Sequence, residues 1–422
     1  MRSYRLLTHV VAPLVPLWLR LRAMRGKEDK KRLRERFGRT KLRRPKGTLF
    51  WLHAASVGEA NSVLLLISKI RERAPHVHIL LTTGTVTSAR LMATRLPSGV
   101  IHQYVPVDTP KATDRFMRHW HPDFAFWVES ELWPNLVAAA DEYECFMGIV
   151  NARMSERSFE GWKKRRDFIQ DLLRRFNLVF AQSEADAKRL TYLGTRDVLM
   201  LGNLKYDAAL LPCNEEHLFT LRSQLGERTA WLAASTHPGE EEHVAQAHAL
   251  LSATRPSLLL IIVPRHASRG PALATQLAAQ GKVALRSRGD VITPDTRIYI
   301  ADSMGELGLF YRLCDMVFMG GSLVPHGGQN PLEPARLSCA IAAGPHTHNF
   351  EAMYTEMEQQ HLLRRVRDAA SLAAAFSQLI GDNAQRSKIQ ADVKKWVESK
   401  AGTVERLMIY IGPLLTPRTK KA

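Results

Sequence analysis

The chain has 422 residues, 45% of them apolar and 8% aromatic, and carries a net charge of +18. That length exceeds the size at which a single core keeps growing, so two domains are expected, and the composition excludes a disordered or low-complexity chain. The four cysteines, at 145, 213, 314 and 339, form no C-x-x-C pair and have no metal-ligand spacing. This argues against a disulfide framework or a zinc site and suits free thiols in a reducing, cytosolic compartment.

The charge is concentrated at the start. Residues 1–50 hold sixteen Lys or Arg against three Asp or Glu, so +13 of the net +18 falls there. Such asymmetry fits either a nucleic-acid arm or a segment drawn to anionic lipid. The run from Leu6 to Leu19, LLTHVVAPLVPLWL, is apolar except for Thr8 and His9, and a nucleic-acid arm has no use for it. The run is 14 residues long and contains Pro13 and Pro16. That is short of the ~20 residues that cross a bilayer straight. No small-residue cleavage site follows, which argues against a cleaved signal. The expectation is a membrane-seated segment over residues 1–46, favoured over a helix docked on the protein, with no nucleic-acid partner.

From residue 48 apolar runs alternate with loops and helical segments. TLFWLHA, VHILLTTGT, DFAFWVES, CFMGIVNAR and NLVFAQS read as strands buried on both faces, the signature of a parallel α/β sheet. Residues 206–228 lack a buried run and read as a linker with one short helix. A second series follows: TAWLAAST, SLLLIIVPRH, KVALRSR, TRIYIAD, MVFMGGS and CAIAAGP. The predicted domains are therefore 47–205 and 229–422, both Rossmann-like, the second ending in a helix.

Ligands of such sheets sit beyond the carboxyl ends of the strands, so residues following the apolar runs carry the chemistry. Glu59, in LHAASVGEA, stands where a strand turns into a helix. Its spacing from Ser56 is that of a capping box, so it reads either as a helix cap or as a base. Glu129 and Glu131 in ESELWPNL place two carboxylates at another strand end, where one alone would serve to complement a helix N-terminus. Arg265, just past LLLIIVP, can neutralise a phosphate or carboxylate, or be a surface charge. In GGSLVPHGGQNPLEPA the glycines permit close backbone approach. There Asn330 caps a helix begun by Pro331, leaving backbone amides free for an anion, and Glu333 can accept from a ribose or act as a cap. Neither a Walker motif nor a G-x-G-x-x-G fingerprint occurs, which weighs against ATPase and NAD chemistry.

Taken in order, HAASVGE, ESELWPN, NARMSERS, GNLKYD, ASTHPGEE, VPRH, MGEL, GGSLVPHGGQNPLEPA and GPHTHNF resemble the 3-deoxy-D-manno-octulosonic acid (Kdo) transferases of Gram-negative bacteria, which add Kdo to the lipid A precursor. The resemblance implies a GT-B glycosyltransferase fold, two Rossmann-like domains facing across a cleft. It implies CMP-Kdo as donor, lipid IVA as acceptor, no metal and no cofactor, and a place on the cytoplasmic side of the inner membrane. Glu59 matches the family's proton acceptor, and Glu129 and Lys205 match further cleft residues that stabilise the transition state. Pro264, Arg265, Met304, Gly305, Glu306, Asn330, Pro331, Leu332 and Glu333 match positions at the CMP. Two positions depart from the family pattern: Gln329 stands where His is usual and Ser130 where Thr is usual. Competing readings are another GT-B nucleotide-sugar enzyme and a non-enzymatic basic scaffold at the membrane.

Overall fold

Why these sequences form strands buried on both faces is visible in β1 (Leu49–Ala54), where every residue is buried. The two-residue period sends Leu49 and Trp51 into the layer on one side and Phe50, Leu52 and Ala54 into the layer on the other. Such a strand requires a run that is apolar almost throughout; its one polar member, His53, is buried and meets Thr82 at 3.0 Å. The computed structural model describes residues 1–416. It divides into two units: Met1–Ala208 together with the residues from Lys400 on, and Ala209–Ser399.

The first unit continues with β2 (His78–Thr83), β3 (Ile101–Tyr104), β4 (Phe124–Val128), β5 (Phe146–Ala152), β6 (Leu178–Ala181) and β7 (Val198–Met200). They form one sheet in the order β3-β2-β1-β4-β5-β6-β7, every pairing parallel. The order reverses between β1 and β4, which lie side by side with Phe50 opposite Phe124 and His53 opposite Trp127. Trp51 meets Trp127 edge-on at 5.0 Å, fixing the two strands through their largest side chains.

The second unit has β8 (Ala230–Thr236), β9 (Leu259–Pro264), β10 (Lys282–Leu285), β11 (Thr296–Ile300), β12 (Met316–Met319), β13 (Ala340–Ala343) and β14 (Leu363–Arg365). Their order is β10-β11-β9-β8-β12-β13-β14, again parallel throughout, with the reversal between β8 and β12. The helix expected in the connecting segment is Glu215–Leu225, and it belongs to this unit.

Two expectations change. The C-terminal helix, Thr403–Ile411, was expected in the second domain and lies in the first unit. Its apolar stripe, Val404, Leu407, Met408 and Ile411, completes the layer over Phe50 and Leu52. Asp207 fastens its start, accepting from the backbone of Gly402 and Val404 at 2.7 and 2.5 Å.

The N-terminal segment is a nearly continuous helix, Arg2–Met24, longer than its apolar run. Pro13 lies in a one-turn 3-10 segment, Ala12–Leu14, so the prolines tighten the helix without ending it. The helix is docked on the first unit: Tyr4 donates to Asp108 at 2.9 Å, Thr8 accepts from Asn135 at 2.9 Å, and Arg5 pairs with Glu142 at 2.5 Å. Docking uses one face only. Leu6, Val10, Leu14 and Leu17 remain exposed on the rest.

Candidate active site

In the first unit the reversal point brings two carboxylates to neighbouring strand ends. Beyond β1, Ser56 caps the Val57–Ser62 helix, its Oγ accepting from the Glu59 N–H at 3.3 Å. The Glu59 side chain turns back, accepting from Ser56 Oγ at 2.7 Å and from the Ala55 N–H at 2.8 Å. The cap and the candidate base are therefore one arrangement, which holds the carboxylate in a single pose. Burial pushes its pKa from 4.5 to about 7; the nearby charges of Glu129 and Glu131 add to the rise, and the bonds from Ser56 and Ala55 oppose it. A carboxylate of that basicity suits proton abstraction near neutral pH.

Beyond β4, Glu129 has a left-handed backbone, φ +60°. Such a conformation in a non-glycine residue costs on the order of 1–3 kcal/mol and persists where the surrounding structure holds it. Glu129 Oε1 pairs with Lys205 Nζ at 2.6 Å. Lys205 sits on the Leu204–Asp207 turn, started by Asn203, whose side chain accepts from the Lys205 N–H at 3.0 Å. Asn151 joins the two pieces: its Oδ1 accepts from the Leu204 N–H at 2.9 Å and its Nδ2 faces Glu129 Oε1 at 3.4 Å. Asn151 is buried with φ +56°. The NARMSERS segment was quoted from the sequence, but nothing in its spacing reveals this bridging role. Glu131 is half-buried, its pKa raised by burial and by Glu129 against a bond to Trp133.

In the second unit the expected residues lie at the carboxyl ends of three strands. Pro264 closes β9 and is buried, while Arg265 is exposed, its N–H bonded to Thr236 O at 2.9 Å. Past β11, Met304 is exposed and Gly305 has φ +85°. Glu306 is engaged by Arg286 at 2.5 Å and by His217 at 3.2 Å. The Arg286 bonds hold its carboxyl down to about 2, so it is an anion that positions Arg286.

The loop past β12 differs from expectation at its helix. The helix is Leu332–Ala335, with Pro331 at its N-cap; Asn330 Oδ1 accepts from the Leu332 N–H at 3.2 Å, and Glu333 is half-buried in the first turn. The chain leaves it through Ser338, at φ +57°, toward β13. One turn supplies only a weak dipole for an anion.

The amides at the start of the glycine-rich loop, Gly321 to Leu323, are also not free. Glu240, fully buried, accepts from the backbone of His237, Gly321, Ser322 and Leu323 at 2.9, 2.6, 2.9 and 2.9 Å. A side chain of the ASTHPGEEE loop thus fills the cradle formed by the loop after β12. Gly320 permits the approach, since a Cβ there would stand 2.4 Å from Ser235 O. The next residue, Glu241, is buried, bonded by Thr236 at 2.9 Å and by Arg269 at 2.6 and 3.2 Å, which ties in the VPRHASR loop.

Beside these bonds lie the exposed Arg265 and a group of polar rings and amides at the strand ends. His237 stacks on His326 at 4.2 Å and meets Gln329 at 3.2 Å. Burial, then His326 and Arg265, push the His237 pKa down to about 4. Sequence reasoning missed Glu240, Glu241 and His237, although they stand in a quoted motif, because a buried clamp and an exposed charge have the same spelling.

Residues 31–208 match the family of 3-deoxy-D-manno-octulosonic-acid transferases. The chain is 34% identical over 407 residues to the 3-deoxy-D-manno-octulosonic acid transferase of Rickettsia bellii, covering 96% of each. It is 38% identical over 372 residues to a probable mitochondrial 3-deoxy-D-manno-octulosonic acid transferase of Arabidopsis thaliana, covering 86% of this chain and 83% of that one. Among solved structures, the UDP-GlcNAc 2-epimerase of Neisseria meningitidis covers 87% of this chain and 100% of its own, with a TM-score of 0.62 and 10% identity, a likeness of fold alone. With two parallel seven-stranded units of GT-B type and relatives aligned over nearly its whole length, the chain belongs to the Kdo transferases, a family of glycosyltransferases.

Proposed function

We propose that the protein transfers Kdo from CMP-Kdo to the lipid A precursor, lipid IVA, in lipopolysaccharide synthesis, with Glu59 as the general base. The observation that carries this reading is the Glu59 carboxylate, fixed by Ser56 and Ala55 and raised to about 7 beside the Glu129–Lys205 pair. A sugar hydroxyl is a poor nucleophile until a base takes its proton as the new bond forms. Glu59 takes that proton while the hydroxyl oxygen bonds to the anomeric carbon of Kdo. The bond from that carbon to the phosphate oxygen breaks, and CMP leaves with the electron pair. Lys205, paired with Glu129, supplies positive charge beside the reacting groups on this unit.

On the second unit Arg265 is the cation for the CMP phosphate, and Glu333 an acceptor for ribose hydroxyls. Met304, Gly305 and Asn330 lie beside them, with the buried Pro264, Pro331 and Leu332 behind holding the loops, and Glu306 acts through Arg286. Arg265 does the charge neutralisation that a metal ion performs in other transferases. The N-terminal helix keeps the enzyme at the cytoplasmic face of the inner membrane, where its exposed leucines and valines meet lipid and the basic stretch behind them meets anionic headgroups.

The test is incubation of the protein with CMP-Kdo and lipid IVA in excess EDTA, followed by mass spectrometry of the lipid. A product heavier by Kdo is expected. An unchanged lipid with intact enzyme and donor overturns the reading, and a product only after magnesium is restored overturns the metal-independent part.

A further inference from the structure

Between the N-terminal helix and the body of the first unit lies a cavity of about 350 Å³, to which the proposed reaction assigns nothing. One wall is the inner side of the helix, with Leu7, Val11, Val15 and Trp18 at helical spacing. The other is the Val105–Thr109 stretch after β3, together with Trp133. Its volume is at the small end of the ~300–1,000 Å³ typical of ligand pockets. Leu7, Val11, Trp18 and Trp133 are each 40 to 61% exposed, so large apolar side chains surround a space that no side chain fills.

Three of the polar side chains that reach the lining, Asp108, Thr8 and Arg36, are already engaged elsewhere. Asp108 accepts from Tyr4 at 2.9 Å and from the backbone of Asn135 and Leu136 at 3.2 and 2.9 Å. Thr8 donates to Tyr4 O and accepts from Asn135. Arg36 donates to Val105 O and faces Glu28 at 3.4 Å. A polar ligand would find few open partners, whereas an apolar one loses water at every wall.

Two further observations identify the occupant. The cavity is roofed by the same helix that exposes Leu6, Val10, Leu14 and Leu17, so a hydrocarbon chain can pass from a bilayer into it over apolar surface alone. The helix is followed by fourteen Lys or Arg between Arg20 and Lys46, a charge complementary to the phosphates of an anionic lipid. At the other wall, Trp133 is bonded to Glu131 and shares its loop with Glu129, and both carboxylates act on Glu59. The lining thus joins the membrane-facing helix to the loop of the candidate active site. We infer that this cavity takes one acyl chain of the acceptor lipid, and that seating the tail there sets the headgroup beside Glu59. This rests on the lipid-acceptor reading above.

The test uses full-length protein and an acceptor lipid carrying a diazirine at the end of an acyl chain. Label is expected on the peptide holding Trp133 or on residues 105–109, and Val15→Trp, which fills the cavity from the helix side, should remove it. The same variant should raise KM for the acylated acceptor about tenfold with kcat retained, while Leu250→Trp, at an exposed position of the second unit, changes neither. The inference is overturned by label confined to the Leu6, Val10 and Leu14 side, or by unchanged KM in Val15→Trp. Equal labelling of the cavity by a diazirine phospholipid that is no acceptor also overturns it, since bulk lipid is then the occupant. Failure of the unmodified enzyme to transfer Kdo counts against the proposed function instead, and photolabelling, which needs no turnover, still decides the cavity.

Discussion

Lys205 Nζ stands 2.6 Å from Glu129 Oε1, in a first unit where burial, with the charges of Glu129 and Glu131 adding to it, raises the pKa of Glu59. The lysine supplies the countercharge in a place crowded with negative charge. Lys205→Ala should lower kcat roughly 10²-fold, the loss typical of removing one transition-state contact. Glu129→Gln removes one of the charges that raise Glu59, so the acid limb of kcat/KM against pH should move to lower pH. Profiles of the two variants, measured with saturating donor, check both.

Glu240 makes the opposite use of a carboxylate. It accepts four backbone N–H bonds and joins the loops after β8 and β12. Glu240→Gln puts an NH2 against at least one of those donors. A loss of ~1.5–3 kcal/mol of stability is expected, as for a hydrogen bond to a charged group. A chemical denaturation curve should show a lower midpoint, and CMP affinity should fall as the loop loosens. An unchanged midpoint means the amides find other partners at no cost.

If Arg265 and Glu333 hold the nucleotide, Arg265→Ala and Glu333→Ala should each weaken CMP binding by roughly one to two decades while leaving lipid binding intact. Isothermal calorimetry with CMP measures this. Equal affinity in both variants removes these residues from the donor site.

The readable part of this fold was its interior. Runs such as LFWLHA and LLIIVP are almost wholly apolar because both faces of the strand are covered, and each is a strand in the structure. The strands left unread, β3, β7 and β14, are all at sheet edges, where partial exposure mixes polar residues into β3 and β14 and where β7 is only three residues long. Glu59 and Glu129 were legible from their place after buried strands. Asn151 and Glu240 were not, because their partners are backbone groups of segments distant in sequence, which no local spacing encodes. The C-terminal helix carried an apolar stripe that names no sheet, and it completes the first.

Removal of residues 1–24 takes away the docked helix and its exposed apolar side chains. The rest of the first unit keeps its own sheet and both core layers, with only Leu19 and Ala23 lost from the buried set. The truncated protein should fold, act on detergent-dispersed acceptor with a raised KM, and be partly released from membranes by high salt, while the full chain resists extraction. Equal solubility of both forms in fractionation contradicts membrane seating.

Glu59 also has a stability signature. Its folded pKa lies above its ordinary value, so between pH 4.5 and about 7 the folded state binds more protons than the unfolded state. Stability must then fall as pH rises through that window, by up to ~3 kcal/mol from this group. Glu59→Gln should lack that decline, so denaturation curves of the two proteins at pH 5 and pH 8 should diverge in favour of the variant at the higher pH.

The most direct measurement is single-turnover Kdo transfer by folded Glu59→Gln protein. Gln can still accept from Ala55 or Ser56 and so preserve much of the cap, but it cannot take a proton. With Glu59 as the general base, the rate should fall at least ~100-fold while binding of donor and acceptor changes little. A near-normal rate in a protein with native spectra and ligand affinity would contradict the assignment and leave Glu59 as a helix cap alone.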